Sequence, residues 1–95
     1  MTFEEHCRES EKLFGDRFEL VHLWLDEFMG KPPHGMRHRR IRHHKAGIAQ
    51  AERLFGPMAA KAARRHIESD LELEGWTQAD PFPADEADFV KIGFF

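Results

Sequence analysis

The chain contains one cysteine, Cys7, and no tyrosine. A single thiol excludes an internal disulfide, so no covalent staple supports the fold, and a reducing cytoplasm is the natural compartment. No apolar run approaches the roughly 20 residues needed to span a bilayer, and no charged n-region followed by an apolar segment opens the sequence. A soluble protein without a membrane partner is expected. The H-E-x-x-H pattern of common zinc proteases is missing. Cys7 has no evident activating partner, because successive side chains on a helix diverge by about 100° and adjacency to His6 does not bring thiol and imidazole together.

What the chain does have is histidine, seven in 95 residues. A chain of this length forms one domain with one modest core, and such small domains often gain from a metal or a partner chain. Its charge of -3 is segregated. Residues 1–27 carry 3 basic and 8 acidic side chains, residues 28–66 carry 10 and 1, and residues 67–95 carry 1 and 8. These blocks either neutralise one another within the fold or present a basic strip to phosphate or to an acidic protein surface.

Punctuation along the chain predicts four helices. Thr2 with Glu5 has the capping-box spacing, and Gly15 ends a helix over residues 3–14. Asp16 caps the second helix, whose apolar positions Phe18, Val21, Leu25, Phe28 and Met29 recur at threes and fours until Gly30, Pro32 and Pro33. A third helix is expected over residues 36–55, stopping at Gly56. Pro57 then opens a fourth, rich in alanine, that reaches about Leu73 and closes at Gly75.

The resulting expectation is an all-α fold: a four-helix bundle-like single domain over residues 1–75, with an irregular acidic and aromatic arm over residues 76–95. That arm should carry one short helix from Asp85 to Val90 and pack on the domain or on a partner. Its aromatic residues Phe82, Phe89, Phe94 and Phe95 are too many to leave in water, so a homodimer is one expectation. The run Glu11 to Gly15 recurs as Glu52 to Gly56, and each copy leads into a helix with His and Asp four apart. The echo is either a duplicated hairpin or simply a common way for helices to end.

Helix faces then sort the histidines. His6 shares a stripe with Phe3, Cys7, Ser10, Leu13 and Phe14, and His22 lies among Phe18, Val21, Leu25 and Met29. His44 aligns with Ile41, Ile48, Ala51 and Phe55, and His66 follows Ala59, Ala62 and Ala63. One inward imidazole per helix suggests a metal site, with His6, His22, His44 and His66 as ligands and Asp26, Asp70 and Glu52 in support. His with a carboxylate at i and i+4 projects from one side of a helix, as in the metal sites of helical bundles. The donors suit a divalent transition metal, zinc first, with iron, manganese or nickel as alternatives. The competing reading makes each histidine a core residue satisfied by a nearby acid or by backbone. His34, His38 and His43 are placed outside the core, with His43 the nearest of them to joining a site because it adjoins His44.

Catalysis is not specified. A bound metal with an open position could activate water, with Glu52, Asp26 or Asp70 as base. The His-Asp dipeptide of HD phosphohydrolases is absent. The cluster Arg37, Arg39, Arg40, Arg42 and Lys45 would engage phosphates on nucleic acid or a partner protein, yet it has no interleaved aromatic for base stacking.

The ordered set His6, Phe14, Gly15, His22, Trp24, Leu25, Asp26, Arg37, His38, Arg39, His43, His44, Gly47, Glu52, Phe55, Gly56, His66 and Asp70 resembles a small family. Its members are short, histidine-rich bacterial and phage proteins carried as a domain of unknown function. The resemblance spans residues 3–71; after Gly56 the family is expected to carry a longer loop, and the C-terminal arm looks individual. It implies no activity. A mobile-element origin would suit the runner-up function, a non-catalytic inhibitor that binds a host protein.

Overall fold

The computed structural model describes residues 1–93, the side chain of Met36 excepted. Phe94 and Phe95, counted above with the arm's aromatics, lie outside the described residues. The fold is all-α, with six α-helices among the described residues: α1 (Phe3–Phe14), α2 (Glu19–Leu25), α3 (Arg39–Arg42), α4 (Lys45–Phe55), α5 (Pro57–Leu73) and α6 (Glu86–Ile92). A single 3-10 turn, Gly35–Arg37, precedes α3.

The first and longest helices start and stop where the sequence predicts. Thr2 and Glu5 form the reciprocal capping box of α1, and Gly15 closes it in the left-handed region. Pro57 occupies the first turn of α5, where its missing amide hydrogen would have had no partner. The α5 helix is central: Ala59, Ala62, Ala63, His66, Ile67, Ser69, Asp70 and Leu71 are all buried along it. Small side chains at Ala51, Ala59 and Ala63 let α4 lie close against α5, and Val21, Leu25, Ile67, Leu71, Trp76 and Phe89 complete the apolar core.

Two expectations fail, each for a physical reason. The second helix is shorter, since Arg42 donates from Nη1 to the carbonyl of Trp24 at 2.6 Å, taking an acceptor the next turn would have used. It also starts late: Asp16 accepts from the Phe18 amide instead of capping a helix directly, and Phe18 adopts a left-handed φ of 51°. The expected third helix is broken in two. His43 and His44 leave helical geometry, and Gly47 packs against the end of α3 so closely that a Cβ there would lie 1.8 Å from the Arg42 carbonyl oxygen.

The break is held by the chain beyond Gly75. Lys45 and Ala46, the first amides of α4, donate to the carbonyls of Pro83 and Ala84, each at 3.0 Å. Trp76 donates its indole N–H to the Pro81 carbonyl and is buried, as is Phe89 on α6, which packs against α3. Residues 76–93 therefore hold the α3–α4 junction in place.

Candidate metal centre

Six of the seven histidines are buried. Imidazole is costly in a core unless its nitrogens find partners, so each ring must be accounted for. His44 is accounted for by backbone: its Nδ1 accepts from the Gly47 amide at 3.1 Å, and its Nε2 lies 3.1 and 3.0 Å from the Arg40 and Ile41 carbonyls. It is the N-cap of α4. The expectation that His44 converges with the other histidines is thus corrected, because the helix break turns its ring back onto the backbone. Glu52 is exposed on α4 and does not reach the cluster either. His34 sits edge-on to Phe28, away from the cluster.

The break that removes His44 delivers His43. Its Nε2 points at the carboxylates of Asp26, the C-cap of α2, and Asp70, on α5. His66, one turn before Asp70, points its Nε2 into the same space. Asp70 Oδ2 is 3.3 Å from both His43 Nε2 and His66 Nε2. Asp26 presents Oδ2 to His66 at 3.3 Å and Oδ1 to His43 at 3.4 Å. Asp26, His43, His66 and Asp70 thus form one group whose ligand atoms all lie within 4.8 Å of one another.

These separations are informative because the contacts are not aligned hydrogen bonds. Both Nε2 atoms are buried without a protein hydrogen-bond partner. A tetrahedral metal with bonds of about 2.0–2.1 Å separates neighbouring donor atoms by about 3.3–3.4 Å, the edge of the tetrahedron. Three of the separations, from His43 and His66 to Asp70 Oδ2 and from His66 to Asp26 Oδ2, match such an edge.

Further histidines stand behind the ligand atoms. His38 Nε2 donates to Asp26 Oδ1 at 3.1 Å, and His6 Nε2 lies 3.2 Å from Asp70 Oδ1. Each aspartate therefore has Oδ1 beside an outer imidazole, hydrogen-bonded in the case of Asp26, and Oδ2 turned toward His66. Arg39 adds a longer contact to Asp70 Oδ1 at 3.7 Å and reaches Glu74 at 3.6 Å. His22 backs His66: their Nδ1 atoms are 2.8 Å apart, and His22 Nε2 is 2.7 Å from Ser10 Oγ. His6 stacks on His66 with ring centroids 3.6 Å apart, an approach fixed by Glu9 of α1, which pairs with Ser69 and Arg65 of α5.

A second trio, His6, His22 and His66, also brings nitrogens together. It is the poorer cage. Imidazole lone pairs lie in the ring plane, so the nearly parallel rings of His6 and His66, 12° apart, do not aim at one point.

The electrostatics follow the geometry. Burial works against ionising Asp26, but His38, His43 and His66 outweigh it and hold its carboxyl far below the usual carboxylate range. Burial likewise opposes ionised Asp70, and His43, His6 and His66 overcome it. Burial pushes His22 down to about 3, leaving it neutral. It lowers His6 as well, while on His66 the adjacent carboxylates of Asp26 and Asp70 outweigh burial and raise it. Two buried carboxylates call for compensating positive charge, which protonated imidazole, the Arg39 guanidinium and a divalent cation are each able to supply.

Of the residues singled out from sequence, His6, His22, His66, Asp26 and Asp70 meet in this cluster. His38 and His43 were missed as core residues. Their signal was the break itself, since Gly47 three residues after His44 marks where a continuous helix face cannot be read. Of the basic cluster, Arg39 turns to Asp70 and Glu74, and Arg42 bonds Glu27 and lies over the Trp24 ring at 4.2 Å. Arg37 and Lys45 are exposed, and Arg40 is half-buried. No helix among the described residues is long and apolar enough to cross a membrane.

Comparison with known proteins agrees with the family resemblance drawn from the histidine pattern. No curated protein and no solved structure matches the chain significantly. A family model does match, over residues 1–80, which takes in every member of the cluster. The chain belongs to the family described as a domain of unknown function, DUF6915.

Proposed function

We propose that this protein is a small helical divalent-metal-binding protein whose ligands are Asp26, His43, His66 and Asp70. The observation that carries the reading is the 3.3 Å spacing of His43 Nε2 and His66 Nε2 from Asp70 Oδ2 and of His66 Nε2 from Asp26 Oδ2, with both nitrogens buried and lacking a hydrogen-bond partner. Two nitrogen and two oxygen donors suit zinc first, with iron, manganese or nickel as alternatives. Two carboxylates would neutralise a divalent ion, so the buried centre would carry no net charge from metal and ligands together. His38 would hold Asp26 Oδ1, His6 would lie against Asp70 Oδ1 and His22 would hold His66, an outer shell of the kind that orients metal ligands.

The ligands come from the end of α2, the α3–α4 junction and α5, so one ion would tie together three separate parts of a short chain. Bound with four protein donors, it would form a closed site that stabilises the fold. Elemental analysis of protein purified without a histidine tag tests the reading. About one metal ion per chain is expected. Metal-free preparations that show no thermal shift with zinc, iron, manganese or nickel would overturn it.

A further inference from the structure

We propose that Ser10 and His22 are positioning residues that hold His66 in the one tautomer able to ligate a metal through Nε2, an inference that rests on the metal reading above. A ligating Nε2 has no hydrogen, so the proton of a neutral His66 must sit on Nδ1. That atom is 2.8 Å from His22 Nδ1, a contact with room for a single proton. If His66 supplies it, His22 Nδ1 is bare and accepts. The remaining proton of His22 is then on Nε2, which is 2.7 Å from Ser10 Oγ and donates to it. A directed chain results, from His66 to His22 to Ser10, that begins at the metal ligand and ends on α1.

All three residues are buried, so water cannot replace a missing member without opening the core. Reversing the chain would place a hydrogen on His66 Nε2, between Asp26 and Asp70, where the ion would sit. The usual support for a ligating histidine is a carboxylate or a carbonyl. Here the acceptor is a neutral imidazole, which orients the ring while drawing less on its N–H proton than a carboxylate would. His66 accordingly stays a neutral ligand, and the two aspartates alone balance the ion.

The test uses the full chain, labelled with nitrogen-15 and loaded with zinc. Long-range proton–nitrogen correlation spectra should show His66 protonated at Nδ1 with its Nε2 on the metal, and His22 protonated at Nε2 with a bare Nδ1. His22→Phe, which keeps a ring but removes the acceptor, should lower zinc affinity by about 10–100-fold, measured by competition with a chromophoric chelator. Ser10→Ala should lower it less, and Ser10→Thr should restore it. Zinc bound through Nδ1 of His66, a hydrogen on Nδ1 of His22, or wild-type affinity in a folded His22→Phe protein would overturn this inference and leave the metal site standing. A wild-type chain that binds none of zinc, iron, manganese and nickel would overturn both. The spectra of the wild-type protein decide the matter even if His22→Phe does not fold.

Discussion

His43 and His44 are neighbours whose rings point to unrelated places: His43 Nε2 faces Asp26 and Asp70, while His44 Nδ1 accepts from the Gly47 amide at the start of α4. The pair separates a member of the buried cluster from a helix cap within a single peptide unit.

Opposite outcomes are therefore expected for the two substitutions. His43→Ala should abolish high-affinity zinc binding. His44→Asn, which keeps a good capping side chain, should retain the metal and cost about 1 kcal/mol or less in stability. Isothermal titration with zinc and thermal melts of both variants check this; loss of zinc in His44→Asn with retention in His43→Ala would reverse the assignment.

Removing one carboxylate should weaken both the site and the chain. Asp70 faces His6, His43 and His66 from a position that is 3 % exposed. Asp70→Asn should lose the metal, and the metal-free variant should be less stable by about 3 kcal/mol, as when one partner leaves a buried ionic cluster. Urea denaturation in the presence and absence of a chelator separates the two effects.

Metal should stabilise the wild-type protein. Zinc at about 100 times its dissociation constant adds about 2.7 kcal/mol, which for a domain of this size raises the midpoint of thermal unfolding by about 10–20 °C. Calorimetry with zinc and with a chelator should show the difference, and a chain that melts at one temperature in both would contradict it.

Gly47 should tolerate no side chain. A Cβ would meet the Arg42 carbonyl oxygen at 1.8 Å, against backbone that cannot swing aside. Gly47→Ala should cost about 4 kcal/mol. Because the displaced carbonyl immediately precedes His43, zinc affinity should fall as well; a variant with unchanged melting and binding would show that the junction is not held as described.

The C-terminal segment should matter to stability although the family match ends at residue 80. Phe89 is 1 % exposed in the core, and Phe89→Ala should cost about 3–5 kcal/mol by urea denaturation. A loss below about 1 kcal/mol would mean that α6 does not pack on the core.

Much of this protein is legible in one dimension. The capping box at Thr2 and Glu5, the Gly56–Pro57 punctuation and the alanine stripe of α5 are local signals, and local hydrogen bonding and backbone freedom decide them. The same holds for His66 and Asp70, whose four-residue spacing places them on one face of a continuous helix wherever that helix packs. His6 and His22 were readable as buried for the same reason.

Which residues join the buried cluster was decided only by packing. A periodic pattern from residue 36 to residue 55 predicts one helix, and on that helix His44 faces inward. The close approach of Gly47 to Arg42 and the carbonyls of Pro83 and Ala84 on the first amides of α4 break it instead, exchanging His44 for His43. Asp26 likewise leaves the end of α2 at an angle fixed by Arg42, far along the chain, and His38 is buried because that aspartate is there. Composition and spacing determined that imidazoles and carboxylates would be buried together. Which nitrogens face which oxygens depended on contacts between residues distant in sequence, and no helical period encodes those.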